Sequence, residues 1–135
     1  MPDIDLVQGV VLDTHAWIWV SAGDARAARL EHLRGRAFVS AISVWEVAML
    51  CAKGRLTLKP SVAGWVQANT AAPVTLEPLH PQIALASANL ENFHGDPADR
   101  IIAATALLLG LPLVTADAKM ISWAADTASH PVIAL

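Results

Sequence analysis

Four acidic side chains interrupt otherwise apolar parts of this 135-residue sequence. Asp13 follows Val-Val-Leu, and Glu46 lies within a run of apolar residues. Asp99 opens a long stretch rich in Ile, Ala and Leu, and Asp117 follows Leu-Val-Thr-Ala. A carboxylate in such surroundings is costly unless it is paired or binds a cation. Too few basic residues stand beside these acids to pair them all, so the pattern indicates a bound divalent cation.

The available ligand types indicate which metal is bound. Cys51 is the only cysteine, and the histidines lack the spacing of a zinc site. Carboxylate oxygens suit Mg²⁺ or Mn²⁺, and Mg²⁺ is commonly held by one or two carboxylates together with substrate phosphate. Such an ion acidifies a bound water, and a second ion about 4 Å away stabilises the leaving oxygen. The residues therefore predict metal-dependent hydrolysis of a phosphodiester.

Each acid also has a purely structural interpretation as a helix cap or a turn residue. In that interpretation Asp13 caps the next helix, Glu46 completes a capping box with Ser43, Asp96 and Asp99 cap and charge their helix, and Asp117 holds a turn. Any one acid taken alone favours this interpretation. The four taken together favour a site.

The elements that must position these acids alternate along the chain. Strands are predicted at residues 9–13, 37–41, 111–116 and 131–135, with a short one near 73–79. Helices are predicted at 15–23, 24–35, 43–54, 61–70, 81–90 and from 97 onward, with a turn or short helix at 119–123. This alternation predicts one α/β domain over residues 1–135, with helices on both faces of a parallel sheet. Ligands of such sheets bind at the carboxyl ends of the strands, where all four acids are expected to converge.

Composition limits the functional classes. The formal net charge is -3, which excludes a broadly basic nucleic-acid surface, although cations and a local basic rim could still bring a nucleic acid to the site. A single cysteine fits a reducing compartment. The sequence shows no signal peptide, and its longest apolar run, residues 101–116, is interrupted by Gly110 and Pro112 and is too short to span a membrane. We therefore expect a soluble, cytoplasmic protein.

Three segments carry a resemblance to a known family. VLDTHAWIWV, FVSAISVWEVAMLCAKGRLTL and HGDPADRIIAATALLLGLPLVTAD, in this order, resemble the successive motifs of PIN-domain proteins, most of all VapC-type toxins of toxin–antitoxin pairs. The resemblance places the acidic site on Asp13, Glu46, Asp99 and Asp117 and leaves Asp96 as the helix cap. Ala98 occupies a position where many relatives carry a bulky apolar residue, and the last strand matches only loosely.

The resemblance also implies a fold, an activity and partners. It implies a PIN-like three-layer α/β/α fold with a central parallel sheet, and an Mg²⁺- or Mn²⁺-dependent endoribonuclease that acts on RNA. It further implies a homodimer and a cognate antitoxin. An antitoxin arginine would suit the acidic site, because its planar fork pairs bidentately with carboxylates.

Other residues are candidates for supporting roles. Thr115 could hydrogen-bond a ligand carboxylate or a water, and Lys53 and Arg55 are candidate phosphate contacts. His15 and His94 flank the site in sequence, as loop residues or as proton-transfer groups.

Arg100 and the tryptophans have less specific assignments. Arg100 is expected to pair with a neighbouring carboxylate. Trp17, Trp19 and Trp45 are assigned to the core or to a dimer interface.

Two alternatives belong to other functional classes. A phosphoryl-accepting, receiver-like domain would carry paired acids after the first strand and a late lysine at a strand end. Here Asp13 stands alone, and Lys119 follows Asp117 in a loop. A non-catalytic PIN-like interaction module would be expected to have lost an acid, whereas all four are present.

Overall fold

The structure, a computed structural model, describes residues 8–30 and 36–135, and within them five strands form one parallel sheet. The strands are β1 Val10–Leu12, β2 Ala37–Ser40, β3 Val74–Glu77, β4 Leu113–Thr115 and β5 Val132–Ala134. Every neighbouring pair runs parallel, and the spatial order is β3-β2-β1-β4-β5. The predicted strands, including the last one, are confirmed.

Helices connect the strands. They are α1 Thr14–Ala22, α2 Ala41–Ala52, α3 Val62–Asn69, α4 Pro81–Ala88, α5 Pro97–Leu109 and α6 Ala118–Ser122, with a 3-10 helix at Ala25–Leu30 and a π-helical turn at Trp123–Thr127. Within residues 8–30 and 36–135, no helix has the length and apolar character needed to cross a membrane.

The central strand β1 contributes to a core on each face of the sheet. Val10 and Leu12 pack with Trp17 of α1, whereas Val11 packs with Ile102 of α5. All five side chains are fully buried. Successive side chains of a strand point to opposite faces, so two separate cores require helices on both sides. The predicted three-layer α/β/α architecture is confirmed.

The order of the strands reverses at β1. Strands β2 and β3 lie on one side of it, and strands β4 and β5 lie on the other. In open parallel sheets such a reversal leaves a crevice outside the carboxyl ends of the strands, which is where ligands bind. The fold therefore places the loops after β1 and β4 at a candidate site.

Helix α1 lies within one residue of its predicted limits, and α5 begins at Pro97 as predicted. Asp13 caps α1 and Asp96 caps α5, each through its side chain, and Pro97 takes the first position of α5. Gly23 and Gly110 end the two helices in left-handed conformations with φ of 65°, which glycine adopts without steric cost. Both helices therefore start at the carboxyl edge of the sheet.

Helix α2 begins earlier than predicted. Its cap is Ser40, the last residue of β2, whose hydroxyl accepts a hydrogen bond from the Ile42 N–H at 3.2 Å. Ser43 is already inside the helix, and its hydroxyl lies 2.7 Å from that of Thr14. The predicted capping box between Ser43 and Glu46 is therefore wrong, because Ser40 takes the capping role.

The predicted helix over residues 24–35 differs from the structure. A 3-10 helix covers Ala25–Leu30, and residues 31–35 lie outside the described part of the chain. Asp24 precedes it and accepts hydrogen bonds from both the backbone and the side chain of Arg26. These bonds hold the pKa of Asp24 at about 2.

Candidate active site

A cleft of about 430 Å³ opens at the carboxyl edge of the sheet. Its lining residues are Asp13, His15, Trp19, Glu46, Asp96, Asp99, Ala116 and Asp117. The structure thus brings together the four acids that the sequence singled out from four separate segments. The convergence expected from the parallel topology is observed.

Asp13 is the most deeply buried of the four acids. It follows β1 directly and its side chain is 7% exposed. One carboxylate oxygen accepts from the Thr14 N–H at 2.8 Å, and the other accepts from the Thr115 hydroxyl at 2.7 Å. Burial raises the pKa of Asp13, although both hydrogen bonds act in the opposite direction. Asp13 is therefore both a helix cap and a fixed member of the cleft.

Thr115 links the ends of β1 and β4. Its hydroxyl donates to Asp13 and accepts from the Asp117 N–H at 3.0 Å. The predicted hydrogen bond from Thr115 to a site carboxylate is present. A single buried hydroxyl thus sets the positions of two of the four acids.

Glu46 enters the cleft from the second turn of α2. The Thr14 hydroxyl donates to its carboxylate at 2.5 Å. A hydroxyl has one proton, so the Ser43 hydroxyl is the donor in its contact with Thr14. Burial is the main cause that raises the pKa of Glu46, and the charges of Asp13 and Asp96 add to it.

Asp99 faces the other acids from the first turn of α5. Asp96 caps the helix by accepting from the Asp99 N–H at 3.1 Å, which leaves the Asp99 carboxylate directed into the cleft. Burial, the largest cause, and the charges of Asp13, Asp96, Glu46 and Asp117 together raise the pKa of Asp99 to about 7. The site therefore holds more negative charge than its own groups can offset.

The acids form two overlapping groups that could each hold a metal ion. One comprises Asp13, Glu46 and Asp99, and the other comprises His94, Asp99 and Asp117. Within each group the candidate ligand atoms all lie within 4.8 Å of one another. Among the described residues, no lysine or arginine forms a salt bridge with any of these acids. Crowded oxygen ligands, of which Asp13, Glu46 and Asp99 have raised pKa values, and the lack of a cationic partner fit a hard divalent cation.

His94 belongs to the site, while His15 lies at its edge. The Nε2 atom of His94 is buried 3.3 Å from a carboxylate oxygen of Asp99, without a hydrogen bond of good geometry. Its Nδ1 atom accepts from the Asp96 N–H at 3.3 Å, and its ring stacks on Phe93. His15 is exposed in the first turn of α1 and lines the cleft. A proton-transfer role for either histidine stays a prediction.

The predicted phosphate contacts lie away from the cleft. Lys53 and Arg55 are exposed at the carboxyl end of α2, roughly 10 Å along the helix axis from Glu46. Lys119 is closer, because it follows Asp117 at the start of α6 and lines an adjoining cleft. Its position two residues after a site acid was a usable signal in the sequence.

Arg100 does not pair with a carboxylate. All five of its N–H donors bind backbone carbonyls at 2.9–3.3 Å. The accepting residues are Ser87, Ala88, Leu90, Phe93 and His94. The expected ion pair is wrong, because the guanidinium folds back over the end of α4 and the loop that follows it.

Comparison with known proteins identifies the family. The family model of the PIN domain matches residues 10–125, which is most of the chain. The chain belongs to the PIN domain family. This PIN domain is 38% identical over 117 residues to Ribonuclease VapC22 of Mycobacterium tuberculosis. The matched region covers 82% of this chain and 88% of the relative.

Solved structures share the fold of this PIN domain. A toxin-antitoxin complex from Klebsiella pneumoniae matches with a TM-score of 0.67 and 23% identity, over 93% of this chain and 96% of that one. VapBC2 from Rickettsia felis, bound to a promoter DNA fragment, matches with a TM-score of 0.69 and 14% identity, over 93% and 97%. The predicted family and PIN-like fold are confirmed, and the receiver-like alternative is wrong.

Proposed function

We propose that this PIN domain is a divalent-metal-dependent endoribonuclease. The observation that carries the proposal is the group formed by Asp13, Glu46 and Asp99, whose candidate ligand atoms lie within 4.8 Å of one another. The 38% identical relative is named a ribonuclease, which supports RNA as the substrate.

The metal in this proposal is Mg²⁺ or Mn²⁺, and Asp13, Glu46, Asp99 and Asp117 would hold it. When bound, such an ion acidifies water and offsets the negative charge of a phosphodiester. The protein itself fixes the ligands. Thr115 holds one oxygen of Asp13 and Thr14 holds one oxygen of Glu46, which leaves further lone pairs of both carboxylates for a cation.

The same site explains why RNA would need the metal. Five carboxylates line the cleft, and no lysine or arginine of residues 8–30 and 36–135 does. A phosphate approaching this cleft without a cation would be repelled at close range. The acids would therefore bind the phosphodiester only through the metal ion that they hold.

The chemistry of the RNA ends tests this proposal. Water that attacks the phosphorus and displaces the 3′ oxygen leaves a 5′ phosphate and a 3′ hydroxyl. Attack by the neighbouring 2′ hydroxyl would leave a 2′,3′-cyclic phosphate and a 5′ hydroxyl instead. We expect the first pair of ends, identified by mass spectrometry of products from a defined single-stranded RNA. Cyclic phosphate ends would contradict the proposal, and intact RNA would favour a non-catalytic module.

We further propose that the chain is the toxin of a toxin–antitoxin pair and forms a homodimer. Similar solved structures include a toxin-antitoxin complex, which supports a small protein partner. Exposed apolar side chains at Trp45, Leu85 and Leu108, which are 54%, 67% and 51% exposed, support an interface. Co-expression with the small protein encoded next to this gene should yield an inhibited complex. A neighbour that neither binds nor inhibits would reject the antitoxin, while the nuclease proposal would stand.

A further inference from the structure

We propose that a second cleft beside the acidic site binds a nucleotide that flanks the scissile phosphate, with Lys119 as its phosphate contact and Asn92 as its base contact. This inference rests on the ribonuclease proposed above and extends it to substrate recognition.

The second cleft adjoins the acidic one. It has a volume of about 460 Å³, and His94, which contacts Asp99, forms part of its wall. Helix α6, which carries Lys119 into the cleft, is capped by Asp117. Volumes of this size are usual for small-ligand pockets. A strand whose phosphate lies on the acids would therefore place a neighbouring nucleotide in this space.

The floor of the second cleft is aromatic and fixed. Phe93 and Trp123 pack edge to face with ring centroids 5.0 Å apart. Trp123 is 5% exposed, and its indole N–H donates to the Glu91 carbonyl at 3.2 Å. Proteins recognise single-stranded RNA by placing unstacked bases against aromatic side chains and hydrogen-bonding their edges. The floor thus offers a rigid apolar surface next to the reacting phosphate.

Charge selects Lys119 as the phosphate contact. Among the residues that the structure describes, it is the only lysine or arginine that lines either of the two clefts. In the described part of the chain, its exposed ammonium makes no ion pair or hydrogen bond. Lysine binds phosphate as a point charge, without the fixed geometry of arginine. Lys119 is therefore placed to hold an RNA phosphate that the metal does not reach.

Asn92 supplies a group that could distinguish bases. It lines the second cleft in a left-handed conformation, with φ of 56°. Its side-chain amide, which has a donor and an acceptor, has no hydrogen-bond partner among the described residues. Asp126 also lines this cleft, and its carboxylate disfavours a free anion there. A nucleotide, which combines donors, acceptors and a phosphate, matches this mixed lining better than phosphate alone.

Binding of a labelled single-stranded RNA tests the role of Lys119. We would measure fluorescence anisotropy in the non-cleaving Asp99→Asn background, with Mn²⁺ present, over a range of salt concentrations. Lys119→Ala should weaken binding about tenfold and lower the slope of log K against log salt by about 0.7, the value for one phosphate contact on a single strand. Lys119→Arg should restore most of the affinity. Lys53→Ala, which removes another exposed lysine that lies outside both clefts, is the matched control and should have a smaller effect.

Cleavage-site profiling of a random RNA pool tests the role of Asn92. Asn92→Gly removes the amide and keeps the left-handed backbone accessible. We expect a base preference of the wild type, at one position next to the cut, to be relaxed in this variant.

The outcomes separate the two proposals. If the wild type cleaves RNA but Lys119→Ala and Asn92→Gly both behave like it, the nucleotide site is wrong and the nuclease stands. The same holds if Lys119→Ala weakens binding of a co-expressed antitoxin and leaves RNA binding unchanged. A wild type that cleaves no RNA would overturn the nuclease itself. Both positions are exposed, and thermal melting of each variant would verify that it folds.

Discussion

At the level of single residues, one acid can be a helix cap and also line the candidate site. Asp13 caps α1, and Asp117 caps α6 by accepting from the Lys119 and Met120 N–H groups at 2.8 and 3.2 Å. A cap engages part of a carboxylate and leaves other lone pairs available. Capping motifs at the carboxyl edge of a parallel sheet therefore do not argue against a metal site.

Glu46→Gln separates charge from shape. The Thr14 hydroxyl can still donate to the amide oxygen, and the repulsion from Asp13 and Asp96 disappears. RNA cleavage should fall at least about a hundredfold, the scale of losing a catalytic group, while the melting temperature in EDTA holds or rises. Glu91→Gln, at an exposed position outside the cleft, is the control. Retained activity would return Glu46 to a structural role.

Thr115→Val tests how far one hydroxyl positions the ligands. Valine keeps the shape but removes the donor to Asp13 and the acceptor for the Asp117 N–H. Loss of a group that orients metal ligands typically costs 10–100-fold in metal affinity, and we expect about tenfold weaker Mn²⁺ binding by calorimetry. Thr105→Val is the matched control, because Thr105 is equally buried but bonds only the Ile101 carbonyl within α5. Equal affinities of both variants would contradict this role.

At the level of elements, Arg100 holds the connection between α4 and α5. Its five backbone hydrogen bonds fix the loop that brings His94 to Asp99. Lysine has three donors instead of five, so Arg100→Lys leaves at least two carbonyls without this partner. We expect a loss of at least about 3 kcal/mol in urea unfolding, since two hydrogen bonds from a charged group are lost and each is worth roughly 1.5–3 kcal/mol. An unchanged unfolding free energy would show that water or other groups replace the guanidinium.

Much of the fold could be predicted from the sequence because its signals are local. Asp96 and Gly110 mark the limits of α5 by capping chemistry alone. The start of α2 could not be predicted, because the choice between Ser40 and Ser43 depends on Thr14, which is distant in sequence. The partners of Arg100 could not be predicted for a related reason. Every residue has a backbone carbonyl, so the sequence does not indicate which of them an arginine binds.

The candidate site was likewise predictable in part. Parallel topology was enough to bring four acids to one edge. The contact between His94 and Asp99 depends on the path of a loop, and the second cleft depends on how Phe93 packs against Trp123. Neither the contact nor the second cleft can be predicted from the spacing of residues in the sequence.

At the level of the whole molecule, the buried acids make stability depend on pH. Without metal, Asp99 has a pKa of about 7, against 3.8 as its ordinary value. Between these values the folded protein retains a proton that the unfolded chain releases, so stability falls as pH rises. In EDTA we expect the melting temperature to drop on the order of 5 °C from pH 5.5 to 8, since each kcal/mol shifts a domain of this size by roughly 4 °C.

Metal should reverse this trend. Ligands must be deprotonated to bind a cation, so metal affinity rises with pH and stabilises the folded state most at pH 8. Asp99→Asn should flatten the dependence in EDTA and reduce the stabilisation by Mn²⁺ without abolishing it, because Asp13, Glu46 and Asp117 remain. A melting temperature that is equally insensitive to pH in both proteins would show that the cleft does not concentrate charge as described.

Single-turnover cleavage of a labelled single-stranded RNA, with the metal removed and then restored, tests the metal-dependent nuclease most directly. The wild type should be inactive in EDTA and recover with either Mg²⁺ or Mn²⁺. Asp99→Asn, measured beside it at saturating metal, should be at least about a hundredfold slower. Cleavage that continues unchanged in EDTA, or an Asp99→Asn variant as fast as the wild type, would contradict a carboxylate-bound metal as the source of activity.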